Sequence, residues 1–246
     1  MDPATVAALA LLFALGAALS SSVGHGGASA YIAAMALCSV APQTMKPTAL
    51  ALNLLVAGFG AWRYWRAGLT NWKLLAAFAV SATPAALIGG AIELPALYYK
   101  PLVGGLLWLA AARLLWQPTA LAEREVNAPS LAVTVPAGAV IGLLAGLTGT
   151  GGGIFLSPLI ILNAWEEPRR TSGVVAGFIV LNSAAGLAGN FASIGQLPAE
   201  LPWFLAAVLG GALIGTWLGV ERLPRALLLR TLGVVLTVAG GKLLFT

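Results

Sequence analysis

The chain has 246 residues, of which 59% are hydrophobic and only 9% charged, and its mean hydropathy of +0.93 lets almost any stretch of about 20 residues sit in hydrocarbon. A soluble domain, which carries charge on roughly a quarter of its residues, is excluded; so is a nucleic-acid footprint, because the net charge of +5 is too thinly spread to form a Lys/Arg stripe. The single cysteine, Cys38, rules out an intrachain disulfide and a cysteine-built metal site, and no cofactor or metal is expected.

Breaking the chain at glycine, proline and charge clusters predicts ten apolar segments, at 3–23, 27–41, 47–62, 72–92, 97–116, 130–148, 152–165, 171–192, 202–220 and 226–245. Met1-Asp2-Pro3 lacks the Lys or Arg that precedes the apolar region of a cleavable signal, so the first segment is expected to be retained. The second and seventh segments are short. At 1.5 Å per residue each covers about two-thirds of a ~30 Å bilayer core, and each directly follows a glycine cluster. The fold class expected is therefore an all-α polytopic membrane protein with glycine-broken short helices.

The two clusters correspond. Ser22-Val23-Gly24-His25-Gly26-Gly27-Ala28 is a weaker twin of Leu147-Thr148-Gly149-Thr150-Gly151-Gly152-Gly153 half a chain later. Leu87-Ile88-Gly89-Gly90 likewise answers Leu213-Ile214-Gly215-Thr216, and Leu94-Pro95-Ala96-Leu97 answers Leu223-Pro224-Arg225-Ala226. These matches predict a duplication: a first membrane repeat over 1–116, a polar connection over 117–129 and a second repeat over 130–246.

Charge sets the relative orientation of the repeats. If every segment crosses, or if each glycine cluster makes a re-entrant hairpin, Arg63, Arg66, Lys73, Arg113, Arg124, Arg169, Arg170, Arg222, Arg225 and Arg230 fall on one side. Lys46, Lys100 and Lys242 then fall on the other. If each cluster is only a kink within one spanning helix, the same residues split almost evenly. The positive-inside rule prefers the first arrangement, which inverts the second repeat relative to the first and puts both termini outside the cytoplasm.

Runs of glycine within a membrane bend the chain and expose backbone N–H groups that must bind something. A short helix starting there adds unpaired N–H donors and the positive end of a helix dipole, a combination that favours an anion. The substrate-binding candidates are thus Gly24, His25, Gly26 and Gly27 in the first cluster and Thr148, Gly149, Thr150, Gly151, Gly152 and Gly153 in the second. The competing role for the glycines is close helix packing. His25, the only histidine, is a candidate for proton coupling and equally for a helix-packing hydrogen bond.

Lys46 and Arg170 precede matching segments and are candidates for a gate or for steering an anion, against the alternative of topology and headgroup anchors. Asn53 and Asn182, in roughly corresponding segments, are candidate path-lining residues; Ser183, Asn190, Ser20, Ser21 and Ser22 complete the polar set inside apolar stretches, where interhelical hydrogen bonding is the default role. Trp62, Tyr64, Trp65, Trp72, Tyr98, Tyr99, Trp116, Trp165 and Trp203 cluster at segment ends and read as interfacial belts.

The Gly-His-Gly-Gly and Gly-Thr-Gly-Thr-Gly-Gly-Gly-Ile-Phe-Leu-Ser-Pro clusters, the Lys-Pro-Thr-Ala-Leu and Arg-Thr-Ser runs and the two-repeat plan together resemble the TauE/SafE-type sulfite exporter family, also called the toluene sulfonate uptake permease family. The resemblance covers nearly the whole chain, and its specific part is the second cluster, ending at Pro158. The first cluster is degenerate, with Ala28 in place of a glycine and Ala33 where Pro158 would align. The resemblance implies a bacterial inner-membrane transporter of sulfur-containing oxyanions such as sulfite or organosulfonates.

A secondary transporter is the function expected, since nothing resembles a Walker A phosphate loop. An anion channel and a carriage of small carboxylate-type anions are the alternatives. A hydrolase built on Ser22 and His25 lacks an evident supporting acid or oxyanion donor, so no enzyme is expected. The partners expected are a small sulfur-containing anion and the lipid bilayer, with proton or cation coupling and a homodimer left open.

Overall fold

A computed structural model describes residues 2–22, 26–115, 126–191, 197–221 and 225–245. Among these it forms α1 (Pro3–Ser22), α2 (Ala28–Leu37), α3 (Pro42–Arg66), α4 (Trp72–Ala91), α5 (Ala96–Leu115), α6 (Leu131–Thr148), α7 (Gly153–Leu162), α8 (Pro168–Gly189), α9 (Leu201–Glu221) and α10 (Arg225–Phe245), and no strand. Each predicted segment is a helix. Most of the predicted connection over 117–129 lies outside the described residues.

Among the helix starts, the largest shifts are those of α3 and α8, which begin at Pro42 and Pro168. Proline suits the first helical position because its missing N–H would have no partner there. It also holds the preceding residue extended, as Ala41 (ψ 137°) and Glu167 (ψ 146°) are. Lys46-Pro47-Thr48 and Arg170-Thr171-Ser172 consequently lie inside these helices, not before them.

The helices are apolar on all sides, as lipid contact requires. Val80, Leu97, Val140, Ile214 and Val238 are each more than half exposed. The helices α1, α4, α6 and α8 are long and apolar enough to cross a bilayer, and the chain is a polytopic membrane protein. Trp62, Trp65, Trp72, Tyr98 and Trp203 are exposed near helix ends, where an amphipathic ring suits the headgroup level. Arg63 and Arg66 stack on the Phe59 and Trp62 rings, at 5.9 and 5.5 Å from their centroids.

Small residues set the helix pairing. Along α6, Gly138, Gly142 and Gly146 lie in turn against the backbone of Phe78, Ala82 and Ala86 in α4, so the two helices run parallel in close backbone contact. Gly211 and Gly215 of α9 lie in the same way against Ala14 and Ala18 of α1, again parallel. In contrast, α5 and α10 are antiparallel: Gly104 faces Gly240 and Leu244, whereas Leu115 faces Gly233. The fourth pair is α3 with α8, also antiparallel, with Gly60 beside Ala176 and Leu50 beside Gly186.

The short helices turn back. The Asn127 N–H, before α6, donates to the Ala164 carbonyl after α7 at 3.0 Å, so α7 returns to the end at which α6 began. Likewise α2 lies back along α1, with Ala30 beside Gly16. Each short helix is therefore folded back along the helix before it.

Following these contacts, the described basic residues divide between two ends of the bundle. Arg63, Arg66, Lys73, Arg169 and Arg170 share the end where Asn71, which caps α4, donates to Glu166 at 2.5 Å. Lys46, Lys100 and Lys242 share the other, where α2, α4 and α10 finish.

Candidate functional site

The second glycine turn is fixed by backbone geometry. Gly149 ends α6 with φ 82° and its N–H donates to the Ala145 carbonyl at 2.9 Å; Gly151 and Gly152 follow at φ 73° and 81°. Side chains at left-handed φ cost roughly 1–2 kcal/mol each, so the run of glycine is what lets the chain reverse in so few residues. Gly152 is the N-cap of α7 and no side chain caps it, which leaves the first N–H groups of α7 without helical partners.

Asn53 of α3, fully buried, lies between the two turns. A methyl group at Gly26 would occupy the place of Asn53 Oδ1, and one at Gly151 the place of its Nδ2. The amide is oriented from α8: Asn53 Nδ2 donates to Ser183 Oγ at 3.2 Å. Two helices, α3 and α8, and both glycine turns thus meet at one side chain.

Several buried polar atoms of α2, α3 and α8 lack partners: Asn53 Oδ1, both amide atoms of Asn182, the Tyr31 hydroxyl and Thr48 Oγ1, as do Thr70 Oγ1, Thr134 Oγ1 and Asn190 Nδ2 elsewhere. Tyr31 reaches back one turn along α2 to lie against Gly27. Asn182 sits one turn beyond Phe178, whose ring meets Gly152. An unpaired buried polar group costs about 1–3 kcal/mol, so a cluster of them inside a lipid-embedded bundle marks a place for a ligand or for water.

The candidates divide as follows. Gly26 and Gly151 meet at Asn53, and Gly27 lies against Tyr31; Thr148 and Thr150 are buried in mutual contact at the second turn, which Gly149, Gly151, Gly152 and Gly153 form, and Asn182 is buried on α8. Gly24 and His25 lie outside the described residues. Arg170 is exposed at the start of α8, away from the turns. Lys46 is buried, and its ammonium donates to the carbonyls of Gly89, Gly90 and Ile92 at 3.2, 2.7 and 2.9 Å, closing the C-terminus of α4. Sequence reasoning missed Tyr31, whose signal is a lone phenol one turn inside the short second segment. It also misplaced Tyr99, which is buried and donates to the Thr148 carbonyl at 3.1 Å, where an interfacial belt was expected. Among the described residues no three metal-ligating side chains converge.

The family model for the sulfite exporter TauE/SafE matches residues 8–243. The chain belongs to the TauE/SafE sulfite exporter family. It is 40% identical over 240 residues to a probable membrane transporter protein, y4hK, of Sinorhizobium fredii (strain NBRC 101917 / NGR234), covering 96% of this chain and 97% of that one. It is 28% identical over 251 residues to a second probable membrane transporter protein, YjnA, of Bacillus subtilis (strain 168), covering 92% and 95%. No solved structure matches.

Two expectations follow for this TauE/SafE chain. Thr148 Oγ1 donates to the Leu144 carbonyl at 2.6 Å, so in its 3.0 Å contact with Thr150 Oγ1 the latter is the donor. A Thr150 hydroxyl that turns to an anion gives up that bond, and Thr150→Val should weaken anion affinity by only about 1 kcal/mol. Titration calorimetry checks this, and an unchanged dissociation constant removes Thr150 from the site. Lys46→Met strips the end of α4 of its cation. It should lower stability by about 3 kcal/mol, read as a fall in the unfolding midpoint, while the affinity of the protein that remains folded stays within about threefold, a difference near 0.7 kcal/mol.

Proposed function

We propose that the chain is a secondary transporter of sulfur-containing oxyanions, sulfite or organosulfonates, held between the two glycine turns at the midplane. The observation that carries this is the convergence of both turns on the Asn53 amide, in a buried region with unpartnered hydrogen-bonding atoms. The oxygens of such an anion would take donors from the N–H groups opening α7, the Tyr31 hydroxyl and the Asn182 amide. Positive helix-dipole ends supply the charge complement without a buried cation. The family description names sulfite and is consistent with that chemistry.

The architecture proposed is a pair of inverted repeats, α1–α5 and α6–α10. Exchanging the halves turns the parallel pair α1/α9 into α6/α4, and maps α3/α8 and α5/α10 onto themselves, as a two-fold axis in the membrane plane would. The arginine-bearing end is proposed to face the cytoplasm of a bacterial inner membrane, with both termini on the other side. Terminal tags that react with a membrane-impermeant reagent only after the cytoplasmic face is opened would reverse this orientation.

Purified protein should be stabilised by its substrate, by about 2.7 kcal/mol at a hundredfold excess over Kd. The comparison is sulfite, thiosulfate, sulfoacetate and arylsulfonates against carboxylates, and stabilisation by carboxylates alone overturns the sulfur assignment. Saturable counterflow in liposomes separates a transporter from a channel. Proton coupling is proposed to run through His25, which is the one histidine of the chain and neighbours Gly26 in sequence. Flux driven by an imposed pH gradient should vanish in His25→Gln; an identical response in that variant excludes His25.

A further inference from the structure

The buried amide of Asn53 has two ends with different fates. Its Nδ2 donates to Ser183 Oγ at 3.2 Å. Its Oδ1, directed at Gly26, has no hydrogen-bond partner although the residue is 0% exposed. An amide oxygen can only accept. A ligand that seats against this amide must therefore offer it a hydrogen, or the protein retains an unsatisfied buried acceptor next to its own ligand.

The possible anions differ in that respect. A sulfonate group carries three oxygens and no hydrogen at any working pH, so an oxygen placed toward Oδ1 sets acceptor against acceptor. Hydrogen sulfite, a monoanion that keeps one proton, can donate to Oδ1 while its remaining oxygens accept from the backbone N–H groups of the second turn. Sites built to hydrogen-bond a particular hydrogen discriminate strongly against analogues lacking it, because the protein's polar atom is then left unpaired.

We infer that Asn53, held by Ser183 so that its oxygen faces Gly26, selects a singly protonated oxyanion such as hydrogen sulfite over a sulfonate. Asn53 acts here on substrate and Ser183 is the positioning residue, since its hydroxyl receives the Nδ2 hydrogen and leaves Oδ1 on the Gly26 side. This selectivity rests on the anion site proposed above. It narrows that proposal from sulfur oxyanions in general to those that bring a proton. The alternative orientation, with the hydroxyl of Ser183 donating to Oδ1, would present the amide N–H₂ group instead and would favour the sulfonate.

The test measures dissociation constants for sulfite and for methanesulfonate, which is larger by one methyl group, on the purified chain at one mildly acid pH where sulfite is chiefly its hydrogen form. Wild type is expected to prefer sulfite by roughly tenfold or more, the equivalent of one unsatisfied hydrogen bond. Ser183→Ala frees the amide to rotate and should reduce the preference to about threefold or less, mainly by improving methanesulfonate binding. Asn53→Leu, similar in shape and without either polar end, should abolish the preference, and it serves as the second variant should Ser183→Ala fail to fold. Equal or tighter binding of methanesulfonate by wild type overturns the inference and leaves the anion site standing, as does a preference unchanged in whichever variant folds. Binding of neither anion overturns the site and the inference together.

Discussion

Gly151→Val should abolish transport, with flux in liposomes falling at least a hundredfold while part of the protein still elutes as a folded species. Two independent costs coincide at this position. The backbone is left-handed, φ 73°, which a β-branched residue resists by roughly 1–2 kcal/mol or more. The first added carbon also takes the place of Asn53 Nδ2 and comes within 3.0 Å of Ser183 Oγ and 3.1 Å of Ile179. The loss therefore falls on the one amide that both turns share, and the N–H groups that open α7 are re-aimed with it. Gly152→Val should act similarly through φ 81° and contacts of 3.0–3.2 Å with Phe178, Ile141 and Ala145. A folded Gly151→Val protein that carries substrate at the normal rate would reduce the cluster to a packing device.

Gly142→Leu should give the largest loss of fold. A Cβ there collides with the Ala82 carbonyl oxygen of α4 and lies 2.6 and 2.7 Å from that residue's Cα and carbonyl carbon. Backbone cannot yield as a side chain can, and α4 is pinned one turn before and after by Gly138 and Gly146. The penalty should exceed the ~1–3 kcal/mol of ordinary overpacking, so little monodisperse protein should be recovered from detergent. Gly58→Ala and Gly210→Ala, where an added Cβ meets nothing within 4 Å, should be recovered at wild-type yield. A well-folded Gly142→Leu protein would show that α4 and α6 can separate without cost.

Much of this was legible in the chain. Apolar length, glycine punctuation and the lysine/arginine split define the ten segments, because hydrocarbon admits few other arrangements. The reversal at Gly149–Gly152 could be anticipated from composition, since little but glycine repeats left-handed φ so closely. The starts of α3 and α8 were also written in the sequence, in Pro42 and Pro168, but an apolar window places a boundary by hydropathy and passes over such signals.

What stayed hidden depends on tertiary neighbours. Asn53 and Asn182 read alike in sequence, yet only Asn53 is seen to touch both turns, because α3 crosses α8 at Ser183. Lys46 reads as a free cation until the end of α4, more than forty residues away, is seen to occupy it. Tyr99 reads as a belt residue because it follows Tyr98; the two lie about 100° apart around α5, and here Tyr98 is exposed while Tyr99 turns to the core.

The pairing of α1 with α9 and of α4 with α6 also bears on how the protein is made. Gly211 reaches its seat on Ala14 only after roughly 200 further residues have been synthesised, a delay of about 10–40 s at 5–20 residues per second. Until then α1 exposes to lipid a face of Ala14 and Ala18 shaped to receive glycine backbone. Neither half can therefore be a finished unit alone, and the nascent first half must be held in the membrane in an open form. Two separately encoded halves, produced together, should find each other through these same faces, whereas either one produced singly should be cleared by membrane proteases.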